Sequence, residues 1–200
     1  SGTIGGSSGT VTPIKPAISE AMKKELENHW AKDEIIPLIN NKIVGGDENG
    51  RLNLDDTITR AEFTAMLVRA FKLEGQSDKT YKDVSGGDWF APYVGAASAE
   101  NIINGYDDGT FGPDKPVTRE EMAKITVSIF KKYKEIPEAD TQKYADDADI
   151  SDWANKYVYE ACRAEIMNGT ESGSFNPKKE ALRCEAMATV SRLLNKTKGE

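Results

Sequence analysis

Three arginines stand where the start of a helix could turn them toward an anion. They occur in Thr59-Arg60-Ala61-Glu62, Thr118-Arg119-Glu120-Glu121 and Leu182-Arg183-Cys184-Glu185. A helix N-terminus carries about half a positive charge and several unpaired N–H groups, which makes it an anion site. A guanidinium one residue after the cap adds a planar fork that can hold a carboxylate with two hydrogen bonds. At an offset of 30 residues before each arginine stands a tryptophan, Trp30, Trp89 and Trp153, and the chain has no others. Large aromatics dominate core burial, so anchoring the start of a helix is their expected main role; a flat apolar face for a sugar ring is the second. Glu62, Glu121 and Glu185 have the spacing of a capping box, in which the Thr59 or Thr118 hydroxyl accepts from the backbone three residues on and the glutamate reaches back. Capping is their expected role. Leu182 lacks that hydroxyl, and restoring threonine there is expected to add about 1 kcal/mol.

These groups recur because one unit of about 60 residues is used three times. Counted from each tryptophan, the agreement is dense: Ile35, Val94 and Val158 at offset 5; Gly46, Gly105 and Gly169 at offset 16; Gly50, Gly109 and Gly173 at offset 20; Leu52, Phe111 and Phe175 at offset 22. A repeated supersecondary unit needs its neighbours to bury its apolar face. In the first unit the apolar spacing through Met22, Leu26, Trp30, Ile35, Leu38, Ile39 and Ile43 predicts one helix. Gly45-Gly46 would close it. A second helix is expected from Thr59, carrying Met66, Leu67, Ala70 and Phe71. Units two and three open on an aromatic before an acidic turn, Tyr81-Lys82-Asp83 and Tyr144-Ala145-Asp146-Asp147, where unit one has Lys23-Lys24-Glu25-Leu26. The expected layout is a linker or tag at 1–20, repeats at 21–75, 76–136 and 137–196, and a frayed tail at 197–200.

A helix, a Gly-rich turn, a Gly-Xaa-Phe-Xaa-Pro loop and a second helix opening on Thr-Arg-Ala-Glu, three times in tandem, resembles the S-layer homology domain. The likeness covers about 175 of the 200 residues. The resemblance implies an all-α fold in which three two-helix repeats form a pseudo-threefold, three-pronged spindle. It implies a non-enzymatic module, monomeric and fused to a larger exported protein, that sits outside a bacterium at the cell wall or S-layer. It also implies binding to pyruvylated secondary cell wall polysaccharide in grooves between repeats. The family's binding arginine falls on Arg60, Arg119 and Arg183. A pyruvyl ketal would offer the carboxylate, the tryptophans a face for the sugar, and glycines such as Gly46, Gly105 and Gly169 a close backbone approach.

Composition narrows the alternatives. A net charge of -7 and no Lys/Arg-rich block argue against nucleic acid. The apolar runs are too short for a membrane span, and the N-terminus lacks the basic-then-apolar pattern of a signal peptide. With one histidine, His29, no zinc cluster or histidine-based catalytic centre is expected, and no cofactor. Cys162 and Cys184 are expected to be free thiols rather than a bridge. Two rival readings are a self-associating S-layer lattice module and a calcium-binding module. Calcium fails on register: setting Gly50 at loop position 6 puts Gly45 at position 1, where aspartate is required.

Overall fold

The computed structural model describes residues 18–139 and 143–199. Most of the expected N-terminal linker lies outside the described residues. The chain is helical: α1 (Glu20–Leu26), α2 (Lys32–Asn40), α3 (Arg60–Phe71), α4 (Ala91–Ala99), α5 (Arg119–Phe130), a 3-10 turn at Asp147–Asp149, α6 (Asp152–Arg163) and α7 (Arg183–Lys198). Among the described residues β-structure amounts to three isolated antiparallel bridges.

The first expected helix is two. Ser19, expected in the linker, caps α1 by accepting the Met22 N–H at 3.0 Å. The chain then turns at His29 and Trp30 before α2 begins. Nor does Gly45-Gly46 close α2, which ends at Asn40; the left-handed residue is Lys42, with φ 57°. Asn101 and Glu165, at the same offset, have φ 57° and 55°. Gly50, Gly109 and Gly173 have φ 73°, 83° and 80°, conformations that favour glycine. α7 runs on through Thr197 and Lys198, into the stretch expected as the tail.

Each second helix packs not on its own repeat's first helix but on the next one's: α3 on α4, α5 on α6, and α7 back on α2. The centre of this cycle is a triangle of backbone hydrogen bonds. Ile58 donates to the Ala181 carbonyl at 3.0 Å, Ala181 to Val117 at 2.9 Å, and Val117 to Ile58 at 3.0 Å. All three side chains are fully buried. Phe63, Phe111 and Phe175, with Leu26, Ile35 and Leu52, are among the largest side chains sealed in the core. No repeat can bury its apolar face alone, and the cycle closes only when the third returns to the first.

The repeat-one opening is degenerate in sequence but equivalent in role. Asp83 accepts the N–H groups of Phe111 and Gly112 at 2.7 and 2.8 Å, and Asp146 those of Phe175 and Asn176 at 2.8 and 2.7 Å. Glu25 accepts those of Leu52 and Asn53 at 2.6 and 2.7 Å. A helical opening with a longer carboxylate thus does in repeat one what an aspartate does in the others.

Candidate functional site

The arginines build the seams between repeats. Arg60 donates through Nε to the Phe111 carbonyl at 2.9 Å, and its Nη1 lies 3.1 Å from Glu121 Oε1. Arg119 repeats the pattern on repeat three, with the Phe175 carbonyl at 2.8 Å and Glu185 at 3.7 Å, and adds the Asn168 carbonyl at 3.0 Å through Nη2. Arg183 returns to repeat one, to the Leu52 carbonyl at 2.9 Å and Glu62 at 2.8 Å. Arg60 and Arg119 are 6% and 9% exposed, so neither is a surface arginine loosely paired with a nearby acid. Burial lowers the pKa of Arg119, and Glu185 opposes that shift.

The unpaired helix-start N–H groups expected to receive an anion are not free. Arg60, Arg119 and Arg183 donate their backbone N–H to the carbonyls of Lys115, Lys179 and Asp56 at 2.9, 3.0 and 2.8 Å. Ala61, Glu120 and Cys184 donate to Pro113, Pro177 and Leu54, each at 3.0 Å. The third N–H of α3 and of α5 goes to the cap threonine. The first two N–H groups of each second helix therefore join repeats and are not open to a groove anion.

The tryptophans are exposed: Trp30 by 59%, Trp89 by 56% and Trp153 by 48%. The core-anchor reading fails, because the start of each first helix lies at the rim and apolar residues such as Ile35, Val94 and Val158 take the core. Two of the tryptophans flank cavities assembled from three repeats. The first, about 360 Å³, brings together Arg60 of repeat one, Gly105, Tyr106, Glu121 and Lys124 of repeat two, and Trp153 of repeat three. The second, about 270 Å³, brings together Arg119 of repeat two, Asn168, Gly169, Glu185 and Arg192 of repeat three, and Trp30 of repeat one. In the third set Arg183 is tied to Glu62, while Trp89 packs edge-on against Phe90 and Tyr93.

The S-layer homology domain family matches residues 26–64, 80–123 and 143–187. The chain belongs to that family. Each match contains one seam arginine and the glutamate that pairs with the arginine of another repeat. Among its relatives are an amylopullulanase of Thermoanaerobacterium thermosulfurigenes, 35% identical over 98% of this chain and 11% of the relative's length. A surface-layer 125 kDa protein of Lysinibacillus sphaericus is 29% identical over 90% of the chain and 16% of its own length. A cellulosome-anchoring protein of Acetivibrio thermocellus is 28% identical over 76% of the chain and 35% of its own length. The chain thus spans a small part of the curated relatives it matches. An S-layer homology domain with such relatives belongs to the cell surface, at the S-layer or cell wall. No described helix is long and apolar enough to cross a membrane.

In this S-layer homology domain the offset-16 glycines serve an internal purpose. A Cβ on Gly105 or Gly169 would come within 2.5 Å of the Tyr81 or Tyr144 ring, and one on Gly46 within 2.7 Å of the Met22 methyl. The glycines make room for each repeat's opening side chain; Gly105 and Gly169 line the grooves as well. Thr59–Glu62 and Thr118–Glu121 form complete capping boxes. The third box is half present: Glu185 accepts the Leu182 N–H at 2.9 Å, but leucine offers no acceptor in return.

Sequence reasoning missed Tyr106, Lys124, Asn168 and Arg192. The Arg60 guanidinium lies 4.6 Å from the Tyr106 ring centre, and Tyr106 donates its hydroxyl to Glu121 at 2.8 Å. Burial pushes the phenol up to about 12, with Arg60 opposing, so it stays a neutral donor. The Lys124 ammonium stands 5.4 Å from the Trp153 ring centre, and Arg192 donates to Glu34 at 3.1 Å. The matching positions hold Ala65 and Ala188 for Lys124, and Arg69 and Ser128 for Arg192. A search for residues shared by all three repeats passes over them. A basic residue on the groove-facing side of a second helix was the available signal.

Both cysteines are free thiols, Cys184 buried and Cys162 partly so. Among the described residues one grouping of mixed ligand atoms could hold a metal: His29, Asp55 and Cys184. The loop around Gly50 is closed by its own amides. Asp47 Oδ1 accepts from Asn49 and Arg51, each at 2.9 Å, and Oδ2 from the Asn53 side chain at 3.2 Å.

Proposed function

We propose that this chain is a non-catalytic anchoring module that holds a larger exported protein on the bacterial cell wall by binding pyruvylated secondary cell wall polysaccharide. The observation that carries this reading is the pair of cavities, each with an exposed tryptophan and buried arginine from two repeats and a glycine-lined wall from a third. A flat indole face suits the apolar side of a sugar ring. Cations at the cavity wall suit an acidic substituent, and they act locally in a protein whose net charge of -7 offers no long-range attraction. The relatives named for the surface layer and for cellulosome anchoring support the same reading.

The arginines act here chiefly by shaping the groove. All three Arg119 side-chain nitrogens have protein partners, and Arg60 is engaged through Nε and Nη1. Lys124, beside Trp153, supplies the more available cation in the first groove, and Arg192 the second cation in the other. The first groove is therefore the stronger site, with the pyruvyl carboxylate between Arg60 and Lys124 and the sugar on Trp153. The cycle of seams would be the axis of a three-pronged spindle, monomeric as a unit.

Calorimetric titration with wall polymer before and after removal of its pyruvyl groups tests the ligand assignment. Binding should fall sharply when the carboxylate is removed. Equal affinity for the two polymers would contradict it.

A further inference from the structure

The seam that closes the cycle differs in chemistry from the other two. Arg183 and Cys184 donate backbone N–H groups to Asp56 and Leu54 at 2.8 and 3.0 Å, which sets Asp55 beside Cys184. His29 enters from the turn between α1 and α2, held by its N–H to the Leu26 carbonyl at 3.3 Å and by the Lys32 N–H to its own carbonyl at 3.1 Å. One ligand atom from each of His29, Asp55 and Cys184 lies within 4.8 Å of the other two. Cys184 is buried, His29 half-buried and Asp55 exposed, so the group opens to solvent on one side.

We propose that His29, Asp55 and Cys184 form a zinc-class metal site that fastens the third repeat to the first. The donor set selects the ion. A thiolate, an imidazole and one carboxylate suit a borderline divalent cation, with three protein ligands and a water in the fourth position. Calcium and magnesium want six or more oxygen ligands, and this group offers one carboxylate. Tetrahedral zinc with ordinary bond lengths sets neighbouring ligand atoms ~3.3–3.8 Å apart, so the present spread closes by about 1 Å. The exposed Asp55 side chain has the freedom to supply most of that movement.

The neighbouring seam shows what this junction is for. There Glu120 stands where Cys184 does and Lys178 where Asp55 does, and the two pair at 2.6 Å. Ser151, two residues ahead of Trp153 where His29 is one ahead of Trp30, donates its hydroxyl to Glu120 at 2.9 Å. That seam is thus bridged by three side chains. In the closing seam a bound cation would stand to Asp55 and Cys184 as Lys178 stands to Glu120. It would do so at the helix start whose cap hydroxyl is missing at Leu182. Loading sends the Cys184 proton to solvent. His29 Nδ1 accepts the Ala31 N–H at 3.2 Å, which leaves Nε2 for the metal; the imidazole proton then moves to Nδ1 through water and the Ala31 contact opens.

The chelator-stripped chain is titrated with cobalt, watching for the sulfur-to-cobalt charge-transfer band, and then with zinc in competition. The expected result is one equivalent bound, with the band, and a thermal midpoint raised by zinc. Cys184→Ala, which installs the residue of repeat one at this place, should abolish the band and the zinc-induced shift. His29→Gln and the exposed, fold-neutral Asp55→Asn should each weaken zinc by more than the roughly 10- to 100-fold lost when a group behind a ligand is removed. Cys162→Ala should behave as wild type. A chain that shows no band, affinity that survives Cys184→Ala or Asp55→Asn, or a band lost with Cys162→Ala instead, overturns the site.

Discussion

Arg183 Nη1 stands 2.8 Å from Glu62 Oε1, so a side chain near the end of the chain closes on one in its first third. Arg60–Glu121 and Arg119–Glu185 are the same contact one step round the cycle. Removing one member of a buried, hydrogen-bonded pair costs about 3–5 kcal/mol because the other charge is left uncompensated. Arg60→Ala and Arg119→Ala should therefore cost about that much. Arg183→Ala, in a more open seam with Glu62 only partly buried, should cost less, about 1.5–3 kcal/mol. Urea midpoints of the three variants check the order. Arg60→Ala with wild-type stability would mean that the seam contacts are incidental.

The opening carboxylates make a second comparison. Asp83→Asn, Asp146→Asn and Glu25→Gln each leave one backbone N–H facing an amide nitrogen instead of an oxygen. Each should lose about 1.5–3 kcal/mol, the range for hydrogen bonds to a charged acceptor. Denaturant unfolding of the three would show similar losses. A silent Glu25→Gln beside two damaging aspartate variants would mean that repeat one opens differently in solution.

How far the chain was legible follows from how local each signal is. Thr59 and Glu62 lie three residues apart, and their capping box forms as expected. The three-repeat helical architecture was equally plain, because it rests on matching residues at matching offsets. Exposure of Trp30, Trp89 and Trp153 was not legible, since it depends on where a neighbouring repeat ends. The substitution of Glu25 for aspartate was hidden as well. It sits five residues before Trp30, whereas Asp83 and Asp146 sit six and seven before Trp89 and Trp153, and a helical opening shifts the register. Loss of the helix-start N–H groups to neighbouring loops was invisible because each acceptor lies in another repeat.

Leu182→Thr is now expected to be close to neutral. The backbone at Leu182, φ -81° and ψ 155°, matches Thr59 and Thr118, so a threonine hydroxyl could cap Glu185 and gain about 1 kcal/mol. Yet Leu182 also packs against the core, and trimming it gives up about as much apolar burial. Thermal midpoints of Leu182→Thr and Leu182→Ser separate the two effects. Serine keeps the cap but loses a further methyl, and should be the less stable. Serine equal to threonine would mean that burial at this position contributes nothing.

The most direct test of the groove assignment is calorimetric titration of pyruvylated wall polymer into the Trp153→Ala/Lys124→Ala variant, beside the matching Trp30→Ala/Arg192→Ala variant and wild type. Trp153 and Lys124 flank the first groove without entering the seam triangle, so the fold should survive and circular dichroism should match wild type. The first pair should lose about 1.5–3 kcal/mol of binding, the range for a charge-assisted contact, and the second pair less. Wild-type affinity in both variants would contradict the groove assignment.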